Sequence, residues 1–353
     1  MDYKKEIEDL ILTVTKEGAS DLHLSEGMHP TLRVSGFLIP LLKKPILTKA
    51  DTLGLIEALL TKDDRELFFR QKEIDFAFSS PTKARFRGNG FFQQGGVAIA
   101  LRLISTNIKS LKDLNLPPIL ETFCQKKQGF FLVVGPVGQG KTTTLAAMVE
   151  LINQTRAEHI VTIEDPVEYL FQPKKSLIEQ REVRIDTKDF HTALMSVFRE
   201  DINVLMVGEM RGLDTISAAV TAAETGHLVL STLHTNNASQ TIDRIIDSFP
   251  PNEQDQIRAQ LSESLTGIFS QRLIPKISGG LVPAYELLIN NNAVGNLIRE
   301  KRIHEINSVI ETGLDQGMID MNRCLADLVR SGQISVENAY LHSLNPKSLE
   351  KLF

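Results

Sequence analysis

The sequence predicts an α/β protein in which a parallel sheet, covered by helices on both faces, follows a small α+β domain. Three observations predict it. Apolar runs at residues 130–134, 160–163, 204–207 and 228–232 are continuous rather than alternating, as in strands buried on both faces. Helix-period patterns at 144–153, 187–199 and 212–225 separate these runs, so strand and helix alternate. Residues 1–103 instead combine short alternating strands, hairpin turns and an intervening helical stretch.

A chain of 353 residues suggests two domains. They are expected at 1–103 and 118–353, joined by a polar linker at 104–117 that runs into Pro117-Pro118. A hydrophobic content of 42% and a charged content of 24% supply enough apolar material for sizeable cores. The net charge of -5 argues against a protein that coats nucleic acid. Cys124 and Cys324 lie far apart and form no Cys-x-x-Cys pair, so neither a zinc site nor a disulfide framework is expected, and a reducing cytoplasm fits. The first residues lack a signal-peptide pattern and no apolar run approaches a membrane span. A cytoplasmic protein is expected, reaching any membrane through partners.

In chain order, Ile7, Leu10, Ile11 and Val14 share one face of a helix over 4–17, stopped by Gly18. Ser20-Asp21-Leu22-His23-Leu24 alternates as a strand, with Leu22 and Leu24 on one side. His23 has no metal-spaced partner and reads as structural or surface. Residues 31–34 and 37–41 form a hairpin around Ser35-Gly36. Leu53, Ile56, Leu59 and Leu60 give helical spacing within 48–71. Strands return at 75–78, 84–92 and 97–104, with Gln93-Gln94-Gly95-Gly96 as a turn.

The second domain opens with an apolar run feeding Gly135-Pro136-Val137-Gly138-Gln139-Gly140-Lys141-Thr142-Thr143, followed by a helical stretch. This is G-x-x-x-x-G-K-T between a strand and a helix. A triphosphate needs several backbone N–H donors pointing inward, and Gly135, Gly138 and Gly140 permit that curl. The helix N-terminus adds a favourable dipole for an anion. Lys141 offers a cation to the β- and γ-phosphates, and the Thr142 hydroxyl suits Mg²⁺. ATP and Mg²⁺ are the expected ligands.

The remaining apolar runs each stop at polar residues: Glu164-Asp165, Gly208-Glu209 and, shortly after the last, His234. In a parallel sheet these endings share the carboxyl edge, beside the phosphates. Beyond residue 240 the chain reads as mostly helical. A long amphipathic stretch spans 254–272, a strand 282–289, then three further helices and a polar tail at 344–350.

Together these motifs resemble the secretion ATPases of the type II/type IV pilus superfamily, most closely its pilus retraction branch. Ser20-Asp-Leu-His-Leu-Ser and Arg85-Phe-Arg-Gly-Asn are similar to the family's PAS-like N-terminal domain. Gly135 to Thr142 is similar to its Walker A loop, and Ile163-Glu-Asp-Pro-Val-Glu168 to its Asp box. Val207-Gly-Glu-Met-Arg211 is similar to its Walker B segment, and the segment from Thr225 to Thr235 to its His box. The resemblance implies a RecA-like ATPase domain in a homo-hexameric ring. It also implies an inner-membrane platform protein as partner, pilin as the indirect load, and retraction of type IV pili in twitching motility.

Glu164 is the candidate general base, because a carboxylate at a strand end beside the γ-phosphate can orient water. Glu209 is expected to hold the Mg²⁺ shell through water, since Gly208-Glu209 stands where a Walker B aspartate is common. His234 is placed to sense the γ-phosphate. For Asp165 and Glu168 an ion pair or loop cap is as good a reading as a part in the chemistry, and His227 reads as packing at a strand start. Arg87 and Arg102 would read as a solvated sheet face on their own. The resemblance implies that they reach the phosphates on domain closure, with Arg85 a weaker third.

Alternatives remain open at this point. An assembly or secretion ATPase of the same family usually carries an extra N-terminal domain and a four-cysteine zinc element; with two cysteines in 353 residues neither is expected here, which favours retraction. A RecA-type nucleic-acid motor is disfavoured by the acidic balance, and a non-hydrolysing sensor by Glu164 and Glu209. One departure bears on direction. The retraction branch carries Ala-Ile-Arg-Asn-Leu-Ile-Arg-Glu, and here the octet is Ala293-Val-Gly-Asn-Leu-Ile-Arg-Glu300, with Gly295 for the first arginine.

Overall fold

The computed structural model describes residues 2–34, 36–80, 84–104, 107–210 and 212–353. It divides into two compact units, Met1–Thr106 and Asn107–Phe353.

The first unit runs α1 (Tyr3–Lys16), β1 (Asp21–Ser25), β2 (Thr31–Val34), β3 (Phe37–Pro40), α2 (Lys49–Leu59), α3 (Lys62–Gln71), β4 (Glu73–Ser79), β5 (Arg85–Gln93) and β6 (Gly96–Ile104). Asp2 caps α1, accepting from the Lys5 N–H at 3.2 Å. A reciprocal capping box between Thr48 and Asp51 starts α2. The strands form one antiparallel sheet in the order β3-β2-β1-β6-β5-β4. Ile7, Leu10, Leu55, Ile56 and Phe68 pack on Leu22, Leu24, Phe86 and Leu101. These strand positions alternate with polar ones, so the opposite face collects charge. Register places Arg33, Asp21, Arg102 and Arg87 side by side across β2, β1, β6 and β5. Of the hairpin turn expected at Ser35-Gly36, Ser35 lies outside the described residues.

The expected linker differs from the observed division. Residues 107–117 belong to the second unit, where Leu111 and Leu116 are buried in its core. The Ser110 hydroxyl and Asp113 close that turn by reciprocal hydrogen bonds, so polarity there reflects turn chemistry rather than a free connection.

The second unit begins with α4 (Leu120–Cys124), β7 (Gly129–Val134), α5 (Lys141–Thr155), β8 (His159–Glu164), β9 (Leu177–Glu182), α6 (Phe190–Val197), β10 (Val204–Val207), α7 (Leu213–Glu224) and β11 (Leu228–Leu233). It continues with α8 (Ala238–Asp247), α9 (Gln254–Ser264), β12 (Leu265–Pro275), β13 (Leu281–Ile289), α10 (Asn292–Arg299), α11 (Ile306–Thr312), α12 (Met321–Arg330), α13 (Val336–His342) and α14 (Pro346–Glu350). The sheet order is β13-β12-β7-β11-β10-β8-β9, parallel throughout except for β12 against β13. Phe130, Leu132 and Val134 of β7 face one core with α6, α7, α8 and α9, and Phe131 and Val133 face the other with α4 and α5. Both faces are therefore dry, which is why these runs are apolar apart from Thr162, Ser231 and Thr232, whose buried hydroxyls all donate hydrogen bonds.

Several elements depart from expectation. The stretch 254–272 is not one helix: α9 stops at Ser264, and β12 inserts between β7 and β13. Pairing on both sides overrides the local helical period. The edge strand β9 carries Glu179, Arg181 and Glu182 and shows no apolar run. Residues 346–350 of the expected tail form α14, capped by Asn345 and pinned by buried Leu349, and α10 to α14 replace the three helices expected after β13.

Candidate active site

The carboxyl ends of β7, β8, β10 and β11 meet at a cavity of about 390 Å³. It is lined by residues 137–143, by Glu164, Asp165, Pro166 and Glu168 after β8, by Gly208 and Glu209 after β10, and by Thr232 and His234 of β11 and its following loop. The strand endings read from the sequence thus converge. Gly138 and Gly140 adopt φ of 77° and 78°, a region that favours glycine and lets the loop curl. Gly140 is the N-cap of α5, so the cavity sits on the helix N-terminus.

Lys141 is the first residue of α5 and is buried. Its Nζ donates to the carbonyls of Gly135 and Pro136 at 2.8 Å each and lies 3.3 Å from His234 Nδ1. Gly135 and Pro136 do not line the cavity; their carbonyls hold the lysine instead. An ammonium only donates, so Nδ1 accepts and the ring proton is assigned to Nε2. Nε2 lies 3.3 Å from Glu209 Oε1. Burial pushes Lys141 below the usual ammonium range, against the pull of the Glu209 and Glu168 carboxylates.

Glu164 ends β8 and is 3% exposed. Its Oε1 accepts from the Thr162 hydroxyl at 2.7 Å and from Gln180 Nε2 at 3.2 Å, and its Oε2 from the Glu168 N–H at 3.4 Å. Burial pushes its carboxyl up to about 7, against those hydrogen bonds. A carboxyl titrating near neutrality at a cavity wall suits proton acceptance at physiological pH. Asp165 forms an ion pair with Arg184 at 3.2 Å. The Thr143 hydroxyl is shared with the Tyr169 hydroxyl at 2.8 Å, while Thr142 lines the cavity.

The loop carrying His234 is anchored beneath. The Ser270 hydroxyl donates to the Asn236 carbonyl at 2.8 Å, and Glu286 accepts from the Ala238 N–H at 2.8 Å where α8 begins. His227 sits half-buried at the start of β11, with Nδ1 3.0 Å from the Ala222 carbonyl. Sequence reasoning missed Thr162, Gln180 and Tyr169. Gln180 lies on β9, a strand with no apolar signature, and nothing in the local sequence pairs Thr162 with Glu164 except their i, i+2 spacing on one face.

Arg87 and Arg102 lie in the first unit, directly opposite each other on β5 and β6. Arg102 donates through Nε to Asp21 Oδ1 at 2.8 Å while its side chain stays 69% exposed. Burial raises the Asp21 carboxyl, but hydrogen bonds from Ser20 and Arg102 outweigh it and the net shift is downward. Arg211 lies outside the described residues. Among the described residues no cluster of three or more His, Cys, Asp or Glu side chains forms a metal cage. The Thr142 hydroxyl and the Glu209 carboxylate do line one cavity, an oxygen donor set that suits a hard cation keeping most of its water.

Residues 3–301 match the family described as type II/IV secretion system protein. The chain is 45% identical over 334 residues to the type IV pilus retractation ATPase PilT of Pseudomonas aeruginosa, covering 95% of this chain and 97% of that protein. It is 44% identical over 321 residues to a twitching motility protein of Neisseria gonorrhoeae, covering 91% and 86%. A crystal structure of the pilus retraction motor PilT with bound ADP matches at a TM-score of 0.92 and 46% identity, covering 98% of this chain and 99% of that one. The fold agrees over nearly the whole length with that of an ATPase built from a smaller N-terminal domain followed in sequence by a RecA-like domain. The chain therefore belongs to the type II/IV secretion system protein family, as one of its ATPases.

Proposed function

We propose that this chain is the subunit of a hexameric, ATP-hydrolysing motor that retracts type IV pili. The observation that supports it most is the convergence of Lys141, Glu164, Glu209 and His234 on one cavity, in a chain similar to retraction ATPases along almost its whole length. The ring would work on the cytoplasmic face of the inner membrane, through a platform protein that passes force to pilin. No helix among the described residues is long and apolar enough to cross a membrane.

In this reading the loop N–H groups from Val137 to Thr143 bind the phosphates, and Lys141 leaves its own loop carbonyls to meet the β- and γ-phosphates. Thr142 and, through water, Glu209 would hold Mg²⁺. Bound Mg²⁺ would neutralise charge developing on the phosphate oxygens. Glu164 orients the attacking water and accepts its proton on a carboxylate oxygen. His234 passes the state of the γ-phosphate to Glu209. Arg87 and Arg102 supply further positive charge to the transition state, where an added arginine is worth about 10³ or more in rate.

A second reading, a motor working in the assembly direction, is favoured by Gly295 alone. Gly295 is buried, and a Cβ there would lie 3.3 Å from the Ser262 carbonyl of α9, so this octet presents a different surface from one bearing arginine. ATPase assays on the purified chain test the enzymatic part. Mg²⁺-dependent phosphate release unaffected by single-stranded DNA supports the proposal. Stimulation by single-stranded DNA would point to a nucleic-acid motor instead.

A further inference from the structure

Gln271 of β12 is not among the residues lining the nucleotide cavity, yet it touches the loop that builds it. Its Nε2 donates to the Gln139 carbonyl at 2.8 Å, and its Oε1 accepts from the Thr144 hydroxyl at 2.6 Å. Gln271 is 3% exposed and Thr144 1%, so water does not substitute for either contact. One side-chain amide therefore ties the last turn of the loop to the first turn of α5.

The geometry has a direct consequence for the ligand. In a trans peptide the C=O and the following N–H point in opposite directions. Holding the Gln139 carbonyl toward β12 turns the Gly140 N–H away from β12, and Gly140 lines the cavity. A backbone donor of a cavity-lining residue is thus oriented by a side chain that does not itself line the cavity.

Two further contacts fix the same place. The Gln139 side chain accepts from the Leu273 N–H at 2.7 Å. The glycines that bound the motif also lie against Gln271. A Cβ on Gly135 would fall 2.4 Å from the Gln271 carbonyl oxygen, and one on Gly140 2.9 Å from its Nε2. Loop and strand are fitted to each other at both ends.

We infer that Gln271 is a positioning residue for nucleotide binding, holding the Gln139–Gly140 peptide so that the Gly140 N–H faces the phosphates. The inference rests on the nucleotide site and stands independently of which load the motor moves. Gln271→Met keeps the shape and removes both hydrogen bonds. Gln271→Glu keeps the acceptor for Thr144 but sets a carboxylate against the Gln139 carbonyl. ADP titration of the full chain by calorimetry, with phosphate release at saturating ATP, reads the effect. Both variants are expected to weaken ADP binding about tenfold while kcat changes less than about threefold. Adding Thr144→Val to Gln271→Met should weaken binding no further, because the contact is already gone. A purely structural role would lower the melting temperature and leave affinity unmoved. Should Gln271→Met fail to fold, Gln271→Glu carries the test. ADP affinity within twofold of wild type in a folded variant overturns the inference, as does a fully additive double variant.

Discussion

The Lys141 ammonium lies 3.3 Å from Nδ1 of His234, and the other nitrogen of the same ring lies 3.3 Å from Glu209. One imidazole thus joins the phosphate-binding lysine to the acid after β10. Lys141 spends its remaining hydrogen bonds on the Gly135 and Pro136 carbonyls. An entering triphosphate must displace some of these contacts, so occupancy of the loop changes what His234 and Glu209 feel.

Substitutions along this chain should separate binding from turnover. Lys141→Ala should weaken ATP binding by about 100-fold or more, because a buried charge-assisted contact is lost. His234→Ala leaves the loop and its lysine in place, so ADP affinity should stay within about threefold while kcat falls about tenfold or more. Calorimetry and phosphate release measure the two quantities. An affinity loss in His234→Ala as large as that in Lys141→Ala would mean that the histidine only props the lysine.

Glu164 gives two outcomes. Glu164→Gln keeps the shape and the hydrogen bonds from Thr162 and Gln180, giving up the 3.4 Å contact from the Glu168 N–H, so it should bind ATP normally and hydrolyse it about 10²-fold slower or worse, the usual worth of a general base. Stability should also change with pH. The folded carboxyl titrates at about 7 against an ordinary value of 4.5. Between those values the folded chain holds a proton that the unfolded chain releases. This contribution is present in full below about pH 4.5 and is lost as pH rises to about 7. Glu286 titrates likewise, so wild type must be compared with Glu164→Gln, in which Glu286 is unchanged. The melting temperature of wild type relative to that variant should fall across this window in nucleotide-free protein. A flat difference would place the Glu164 carboxyl at its ordinary value.

Arg102 is held by Asp21 at 2.8 Å in a row that also contains Arg33 and Arg87. Arg102→Ala and Arg87→Ala should each lower kcat by about tenfold or more with ADP affinity within about threefold, as for a cation that acts on the transition state. Steady-state kinetics at saturating Mg²⁺-ATP provide the measurement. Unchanged kcat in both variants would return these arginines to a solvated sheet face.

The nucleotide loop, the buried parallel strands and the acids at their ends were readable because each is a local pattern: glycine spacing, unbroken apolar runs, polar residues at a strand terminus. What escaped was set by tertiary pairing. Residues 265–275 have no alternation strong enough to interrupt a helical reading, yet they form β12 because β7 and β13 accept them on either side. The strand carries Gln271, so misreading it hid the loop's anchor. β9 is an edge strand with charged residues, and its Gln180 was invisible for the same reason. The polar stretch before Leu120 resembled a linker because its turn is built from Ser110 and Asp113, while Leu111 and Leu116 enter the core.

The most direct test of the retraction motor is live imaging of labelled pili in cells from which this gene has been deleted. The account predicts that such cells extend pili and fail to withdraw them. The wild-type chain should restore withdrawal, and Glu164→Gln should not. Cells that make no pili would contradict the retraction reading in favour of assembly, and cells that withdraw pili at the wild-type rate would contradict it outright.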